Sequence, residues 1–535
     1  MKTALGSSNI VRWEFPYRST RRPILARNVV ATSQPLATQA GLRMLLQGGN
    51  AVDAAVAAAI TLTVVEPVMN GIGGDAFALV WDGARLSGLN GSGRSPASWT
   101  HETFAGRDSM PTEGWPSVTV PGAVSVWAAL SSRFGALPFD ALCRPAVEYA
   151  RDGFPVAPVI AGIWQSQMTR LSGQPGFSEA FLPGGRAPAA GDWFRCPDQA
   201  RTLEAIGQTR GESFYRGELA KKIAAFGDGD AHAMTEADLA SHQPDWVEPI
   251  GQSYDDHVVH EMPPNGQGLA ALIAFGILER ADGDRADPDS ADGIHLQVEA
   301  MKLAFADVHA HVSDPATMRM EIETLLDSSR LASLAASIRR DTAHAPVPGP
   351  EPSGTVYLTT ADARGMMVSF IQSNYLGFGS GLVVPGTGIS LHNRGAGFSL
   401  HPRHPNCVGP RKRPFHTIIP SFVTQGGQPV MSFGVMGADM QPQGHLQIAV
   451  RVLGHGQNPQ AALDAPRWKI AQDGTLLLDD TISASCVRDL SDRGHAIRRI
   501  PRESLDFGAG QAIYRLDEGY LGASESRRDG QASGF

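Results

Sequence analysis

The sequence predicts a layered α/β protein, on three observations. Helical patterns dominate the first part of the chain. Strands interleave with helices in the last part. Between them, residues 340–354 carry four prolines, a density that no regular element tolerates.

Residues 28–35, Asn-Val-Val-Ala-Thr-Ser-Gln-Pro, read as a short strand and a turn. Pro35 then opens a helix to about Gln47, with Leu36, Ala40, Leu42, Leu45 and Leu46 on its apolar face. Gly48-Gly49 ends it, and Asn50 is placed to cap a second helix from Ala51 to about Val64. The alanines of that helix admit close neighbours, so it should be buried. A glycine-rich loop, Asn70-Gly71-Ile72-Gly73-Gly74-Asp75, leads into a strand at Ala76–Asp82 and a hairpin at Gly83-Ala84. Helices are expected through most of 122–310, the clearest being Ala123–Arg133, Pro145–Asp152 and His295–His311. The proline stretch reads as an exposed linker. Beyond it, Thr355–Ala361 and Met366–Ser373 flank Asp362-Ala363-Arg364-Gly365 as a hairpin. Further strands are expected near Val383–His392, Ile418–Thr424 and Pro429–Gly434, and a helix from about Gln443 to Leu453.

Composition excludes several functions. The 535 residues are 42% hydrophobic and 19% charged, an ordinary globular mixture with ample chain for a core. A net charge of -9 argues against a nucleic-acid partner. Residues 1–20 lack an apolar signal core, and the longest apolar run, Ala51–Val65, contains Asp53 and is too polar to span a bilayer. No membrane association and a cytoplasmic location are therefore expected. Cys143, Cys196, Cys407 and Cys486 are far apart and read as ordinary thiols. There is no G-x-S-x-G elbow, no P-loop and no H-E-x-x-H. His401-x-x-His404 lies in a proline-containing loop and reads as solvated. No metal and no cofactor are expected.

One junction can do chemistry. A proline-rich segment ends in Gly354, and a strand begins with Thr355. A threonine hydroxyl there can attack the preceding carbonyl, and hydrolysis of the resulting ester frees Thr355 as a new N-terminus. Its α-amine, with a pKa of roughly 7.7–8.0, can then serve as general base for its own hydroxyl. Gly354 permits the conformation that brings carbonyl and hydroxyl together, and the β-branch of Thr355 restricts χ1. On local sequence alone, an ordinary strand residue fits as well.

A longer set of motifs resembles the γ-glutamyltranspeptidase family over nearly the whole chain. It begins at Val29-Val30-Ala31-Thr32-Ser33-Gln34-Pro35-Leu36-Ala37 and continues through Gly48-Gly49-Asn50-Ala51-Val52-Asp53-Ala54-Ala55, Val65-Glu66-Pro67 and Gly71-Ile72-Gly73-Gly74-Asp75. Val120-Pro121-Gly122, Ala150-Arg151-Asp152-Gly153-Phe154, Met262-Pro263-Pro264 and Glu299-Ala300-Met301-Lys302-Leu303-Ala304 follow. The last are Thr355-Val356-Tyr357-Leu358, Lys412-Arg413-Pro414 and Ala465-Pro466-Arg467. The resemblance implies the four-layer αββα sandwich of N-terminal-nucleophile hydrolases, with Thr355 as nucleophile. It implies a precursor split into a large chain, 1–354, and a small chain, 355–535, paired with each other either as one such pair or as a dimer of pairs. Ser373 falls at the family's second threonine, whose hydroxyl supports the nucleophile. Phe433-Gly434-Val435-Met436-Gly437-Ala438 is similar to the family's oxyanion loop, which makes the N–H groups of Gly437 and Ala438 the expected donors.

The departures bear on the substrate. The family arginine that holds a donor α-carboxylate aligns with Ser92, and Arg94 lies two residues on. A Gln and an Asp that hold the donor ammonium align with Arg394 and Gly397, and the serine pair after Lys-Arg-Pro aligns with His416 and Thr417. A pocket without that acid, and with Arg394, disfavours an ammonium and favours an anion. The altered set resembles the family's non-glutamyl branch, which includes oxamate amidohydrolase and the cephalosporin or glutaryl acylases. The leader Ser8-Asn9-Ile10-Val11-Arg12-Trp13-Glu14-Phe15-Pro16-Tyr17 and the run Met440-Gln441-Pro442-Gln443-Gly444-His445 are closest to oxamate amidohydrolase. The expected partner is a small anionic amide, with oxamate first and Arg394, Arg94, His416 and Thr417 as binding residues. The alternatives are a γ-glutamyltransferase or glutathione hydrolase, an acylase, and a binding protein that keeps the fold without processing.

Overall fold

The computed structural model describes residues 20–281, 286–345 and 354–535. The expected leader and most of the expected linker lie outside these residues.

The first helix, Pro35–Leu46, starts on its proline, and the Gln34 side chain accepts from the N–H groups of Leu36 and Ala37. The second, Ala51–Val65, begins in a capping box between Asn50 and Asp53, and all its residues are buried. Alanine explains this: neighbouring helices and a sheet approach it from every side. The third predicted helix is observed as Ala123–Phe134.

Some expectations need correction. The helix expected to start at Pro145 spans Phe139–Asp152 and carries Pro145 inside it. Its buried face runs through Phe139, Leu142, Cys143, Ala146, Val147 and Ala150, so the helical spacing, and not the proline, marks its start. Within the span expected to be helical, Asp245–Val247, Ile250–Tyr254 and His257–Glu261 are strands. The long strand expected at 383–392 is two short ones, Val383–Val384 and Ile389–Ser390. Gly386 and Gly388 turn the chain between them with φ of 69° and 66°.

Among the described residues, most strands form two seven-stranded sheets, beside three smaller ones. One has the order Gln531–Gly534, Val29–Thr32, Gly354–Ala361, Met367–Tyr375, Asp75–Trp81, Leu86–Asn90, Asp245–Val247. The other has the order Ile24–Ala26, Tyr520–Ser524, Ala509–Arg515, Gln428–Met436, Ser421–Gln425, His257–Glu261, Ile250–Tyr254. Three apolar clusters organise them. The first joins Ala51–Val65 and its neighbouring helices to Val80, Leu358 and Phe370 of the first sheet. The second joins the helices Gly268–Arg280, Ala291–His311 and Met440–Ala449 to Val423, Phe433 and Val435 of the second sheet. The third is built from strand residues of both sheets, among them Phe77, Tyr357, Ile371, Phe422 and Ile513. Each such buried side chain contributes about 1.5–3 kcal/mol. Gly434 lets the sheets approach, since a Cβ there would lie 2.4 Å from the Tyr357 ring. Thr359 and Ser432 hydroxyls meet across the gap at 2.6 Å.

Pairing of Gly354–Ala361 with Met367–Tyr375 shifts register between Gly354, opposite Tyr375, and Val356, opposite Gln372. Two residues, Ser373 and Asn374, lie opposite the single Thr355, so the extra residue of this bulge is on the Met367–Tyr375 strand and the junction sits where ladder pairing is interrupted.

Candidate active site

Thr355 and Ser373 lie on adjacent strands and are fully buried. The Thr355 hydroxyl is 2.8 Å from the carbonyl oxygen of Gly354 and 3.3 Å from Ser373 Oγ. Ser373 Oγ is itself 2.5 Å from the Gly354 oxygen. It accepts from the Tyr375 N–H at 2.8 Å and from Arg394 Nη2 at 2.7 Å. Arg394 is only 1% exposed. Its Nη1 donates to Thr417 Oγ1 at 2.7 Å, and its guanidinium lies over the Tyr375 ring, 4.7 Å from the centroid. Its Nε has no acceptor among the described residues. The structure thus brings together Gly354, Thr355, Ser373, Arg394 and Thr417.

Asp75 balances this cation. Its Oδ1 accepts from the N–H groups of Gly122 at 3.0 Å and Gly93 at 3.3 Å. His416 Nε2 lies 3.1 Å from Oδ2, and its Nδ1 accepts from the Ile418 N–H, which fixes a neutral ring donating to Asp75. Burial, reinforced by Arg394, holds His416 well below its ordinary pKa. Burial pushes the Asp75 carboxyl up to about 7, partly opposed by Arg394. Burial lowers Arg394 to about 10, partly opposed by Asp75. Around neutrality the guanidinium is therefore charged while its counter-charge titrates.

This carries a stability prediction. Unfolded, an aspartate ionises near pH ~3.9; folded, Asp75 holds its proton to about 7. Between those values the native state binds the extra proton, so this group's contribution to stability falls as pH rises. The stability deficit of Asp75→Asn relative to wild type should shrink from about pH 5 to about pH 8 in urea titrations. A deficit that grows with pH would contradict the raised carboxyl.

Gly437 and Ala438 follow the strand Gln428–Met436 and precede the helix Met440–Ala449. Both have positive φ, 118° and 53°, which for alanine costs about 1–2 kcal/mol. Gln267 holds the turn: its Nε2 donates to the carbonyls of Ala438 at 2.8 Å and Thr417 at 2.6 Å. Sequence reasoning missed Gln267, and also Asp75 as an anchor, although Asp75 closes a motif noted there. Ser92, at the family arginine's position, is buried and bonded to Asn90 and Asn265. Arg94 lies outside the Thr355 group. It pairs with Asp314 at 3.0 Å and lines a cavity of about 330 Å³ with Asp238, His242, Asp245 and Arg411.

Among the described residues, one group could offer metal-ligand atoms within 4.8 Å of one another: His295, Glu299 and His495. Lys302 Nζ, 2.8 Å from Glu299 Oε1, already supplies a cation there.

Known proteins place the arrangement in a class. Over 522 residues the chain is 36% identical to the glutathione hydrolase-like YwrD proenzyme of Bacillus subtilis, covering 95% of this chain and 98% of that one. It is 37% identical over 516 residues to the oxamate amidohydrolase proenzyme of Klebsiella pneumoniae, with 94% and 97% covered. Its fold matches the crystal structure of a cephalosporin acylase from Bacillus halodurans with a TM-score of 0.93, 46% identity and coverage of 98% and 99%. The class these relatives share is hydrolysis of amides, and this protein is a hydrolase of that class. More narrowly, residues 37–535 match the gamma-glutamyltranspeptidase family. The chain belongs to that family, alongside its non-glutamyl members.

Proposed function

We propose that the protein is an autoprocessing amidohydrolase for a small amide bearing a carboxylate, oxamate being the first candidate. The observation that carries this is Arg394, a buried cation one hydroxyl away from the Gly354–Thr355 junction, with its Nε lacking an acceptor among the described residues.

In this reading the chain cuts itself into 1–354 and 355–535. The two sheets are the middle layers of the four-layer αββα sandwich, with the helices of the first two apolar clusters outside them. Thr355 Oγ attacks the substrate amide, its freed α-amine takes the proton, and the tetrahedral oxyanion is held by the N–H groups of Gly437 and Ala438. The leaving group departs as ammonia, and water releases oxalate from the acyl-enzyme. Arg394 holds the carboxylate, exchanging its bonds to the Ser373 and Thr417 hydroxyls for a bidentate pair. Thr417 serves through its bond to Arg394, and His416 at one remove through Asp75. A donor ammonium is disfavoured, because the nearby acid, Asp75, is occupied by Gly93, Gly122 and His416. No helix among the described residues is long and apolar enough to cross a membrane; a cytoplasmic location belongs to the same proposal.

The likeness to a cephalosporin acylase favours a second substrate class, a glutaryl or cephalosporin side-chain amide, which also carries an anion. The test compares processed protein on oxamate, a glutaryl amide and a γ-glutamyl anilide. Ammonia from oxamate, with little turnover of the anilide, is the expected result. No ammonia from oxamate removes that substrate. Preference for the anilide removes the anion-pocket reading.

A further inference from the structure

The Ser373 hydroxyl has four polar neighbours: Arg394 Nη2 at 2.7 Å, the Tyr375 N–H at 2.8 Å, the Gly354 carbonyl oxygen at 2.5 Å and Thr355 Oγ at 3.3 Å. A hydroxyl has one proton and two lone pairs. The guanidinium and the amide are donors only, so they take the lone pairs. The Gly354 oxygen is an acceptor only, and it is the shortest contact. The Ser373 proton is thereby directed onto the carbonyl of the bond expected to break. Without Arg394 a lone pair would be free, and the hydroxyl could rotate to accept from Thr355 instead.

We propose that Arg394 is a positioning residue for maturation, acting through Ser373 to activate the Gly354 carbonyl. This rests on the reading of 354/355 as the cleavage site, and it adds to Arg394 a task that comes before any substrate binds. A charged donor strengthens the hydrogen bond it makes and polarises the next one in the chain. The geometry around Arg394 is built for one orientation: Thr417 Oγ1 fixes Nη1, and Tyr375 backs the guanidinium plane.

The step balances without any added reagent. Thr355 Oγ adds to the Gly354 carbonyl carbon, and the C=O π pair moves onto oxygen, where the Ser373 proton meets the growing charge. On collapse the C–N bond breaks, and the Thr355 hydroxyl proton ends on the nitrogen, which becomes the α-amine. Water then cleaves the ester, leaving the Gly354 carboxylate and restoring the Thr355 hydroxyl. Ser373 keeps its proton and Arg394 its charge.

The test follows the loss of the full-length band with time in wild type, Ser373→Ala, Arg394→Met and the double variant, all checked for folding by circular dichroism. Ser373→Ala should slow cutting by about 10²–10³-fold, as for loss of one oxyanion donor. Arg394→Met should slow it at least tenfold. The double variant should be no slower than Ser373→Ala, because Arg394 acts through that hydroxyl. A purely structural Arg394 would instead give slowing that multiplies. Should Arg394→Met not fold, Arg394→Lys completes the same cycle with the charge kept. Processing of the Arg394 variant at the wild-type rate, or multiplied effects in the double variant, overturns the proposal. A wild-type chain that never cuts overturns the cleavage reading itself.

Discussion

Thr355→Ala should leave one uncut chain on a denaturing gel, where wild type is expected to give fragments 1–354 and 355–535. Amide hydrolysis should fall by on the order of 10⁴-fold or more, because nucleophile and base are lost together. The structure makes the outcome specific. Thr355 Oγ is the hydroxyl of the junction itself, 2.8 Å from the Gly354 oxygen, whereas Ser373 Oγ already makes shorter bonds to Arg394 and that same oxygen. Ser373 therefore cannot stand in as nucleophile without giving up both. Removing the Thr355 hydroxyl and methyl from a buried strand position costs about 1–2 kcal/mol, a minor share of a typical folding free energy, so the variant should still fold. Thr355→Ser should still cut, more slowly, since without the β-branch its hydroxyl samples more rotamers. N-terminal sequencing of the small fragment, starting at Thr-Val-Tyr-Leu, fixes the position. A Thr355→Ala chain that processes normally would move the nucleophile elsewhere.

Local rules read much of this fold correctly where chain signals were strong. Pro35, Asn50 and the alanines of Ala51–Val65 each specify helix start or burial by their own chemistry, and the structure agrees. The strands at 245–261 were illegible because they are half-exposed and short, with no apolar alternation to announce them. The site divides in the same way. Thr355, Ser373 and Arg394 could be named from motif positions, yet no spacing shows that a side chain at 394 reaches one at 373. Gln267 was invisible because its role, joining the carbonyls of Thr417 and Ala438, exists only after three distant segments meet. Arg94 shows the converse. Its position suggested a carboxylate clamp, and folding pairs it with Asp314.

Gly122→Ala should be among the most damaging single-methyl additions in the chain, and the reason ties three motifs into one structure. Gly71-Ile72-Gly73-Gly74-Asp75, Gly91-Ser92-Gly93 and Val120-Pro121-Gly122 are far apart in sequence, but their backbones converge on the Asp75 carboxylate. Gly122 donates to it with no room for a side chain: a Cβ would lie 1.4 Å from the Gly91 carbonyl oxygen and 3.2 Å from Asp75 Oδ1. Gly93 is as confined, its Cβ falling 1.5 Å from the Val120 oxygen. Backbone atoms cannot rotate aside as a flexible side chain can, so the turn that opens the helix Ala123–Phe134 must separate from Gly91. That costs about 1–3 kcal/mol for overpacking, plus about 1.5–3 kcal/mol for the hydrogen bond to a charged group. The sum is a large share of a typical folding free energy of roughly 5–15 kcal/mol. The loss also propagates to chemistry. With Asp75 no longer held, Arg394 loses the counter-charge that offsets its burial, so processing should slow at temperatures where the variant is still folded. Urea titration and the processing gel, run together on Gly122→Ala, should show both effects. Wild-type stability with normal cutting would mean the three loops can part without disturbing Asp75, and that Arg394 is held in place by Thr417 and Tyr375 alone.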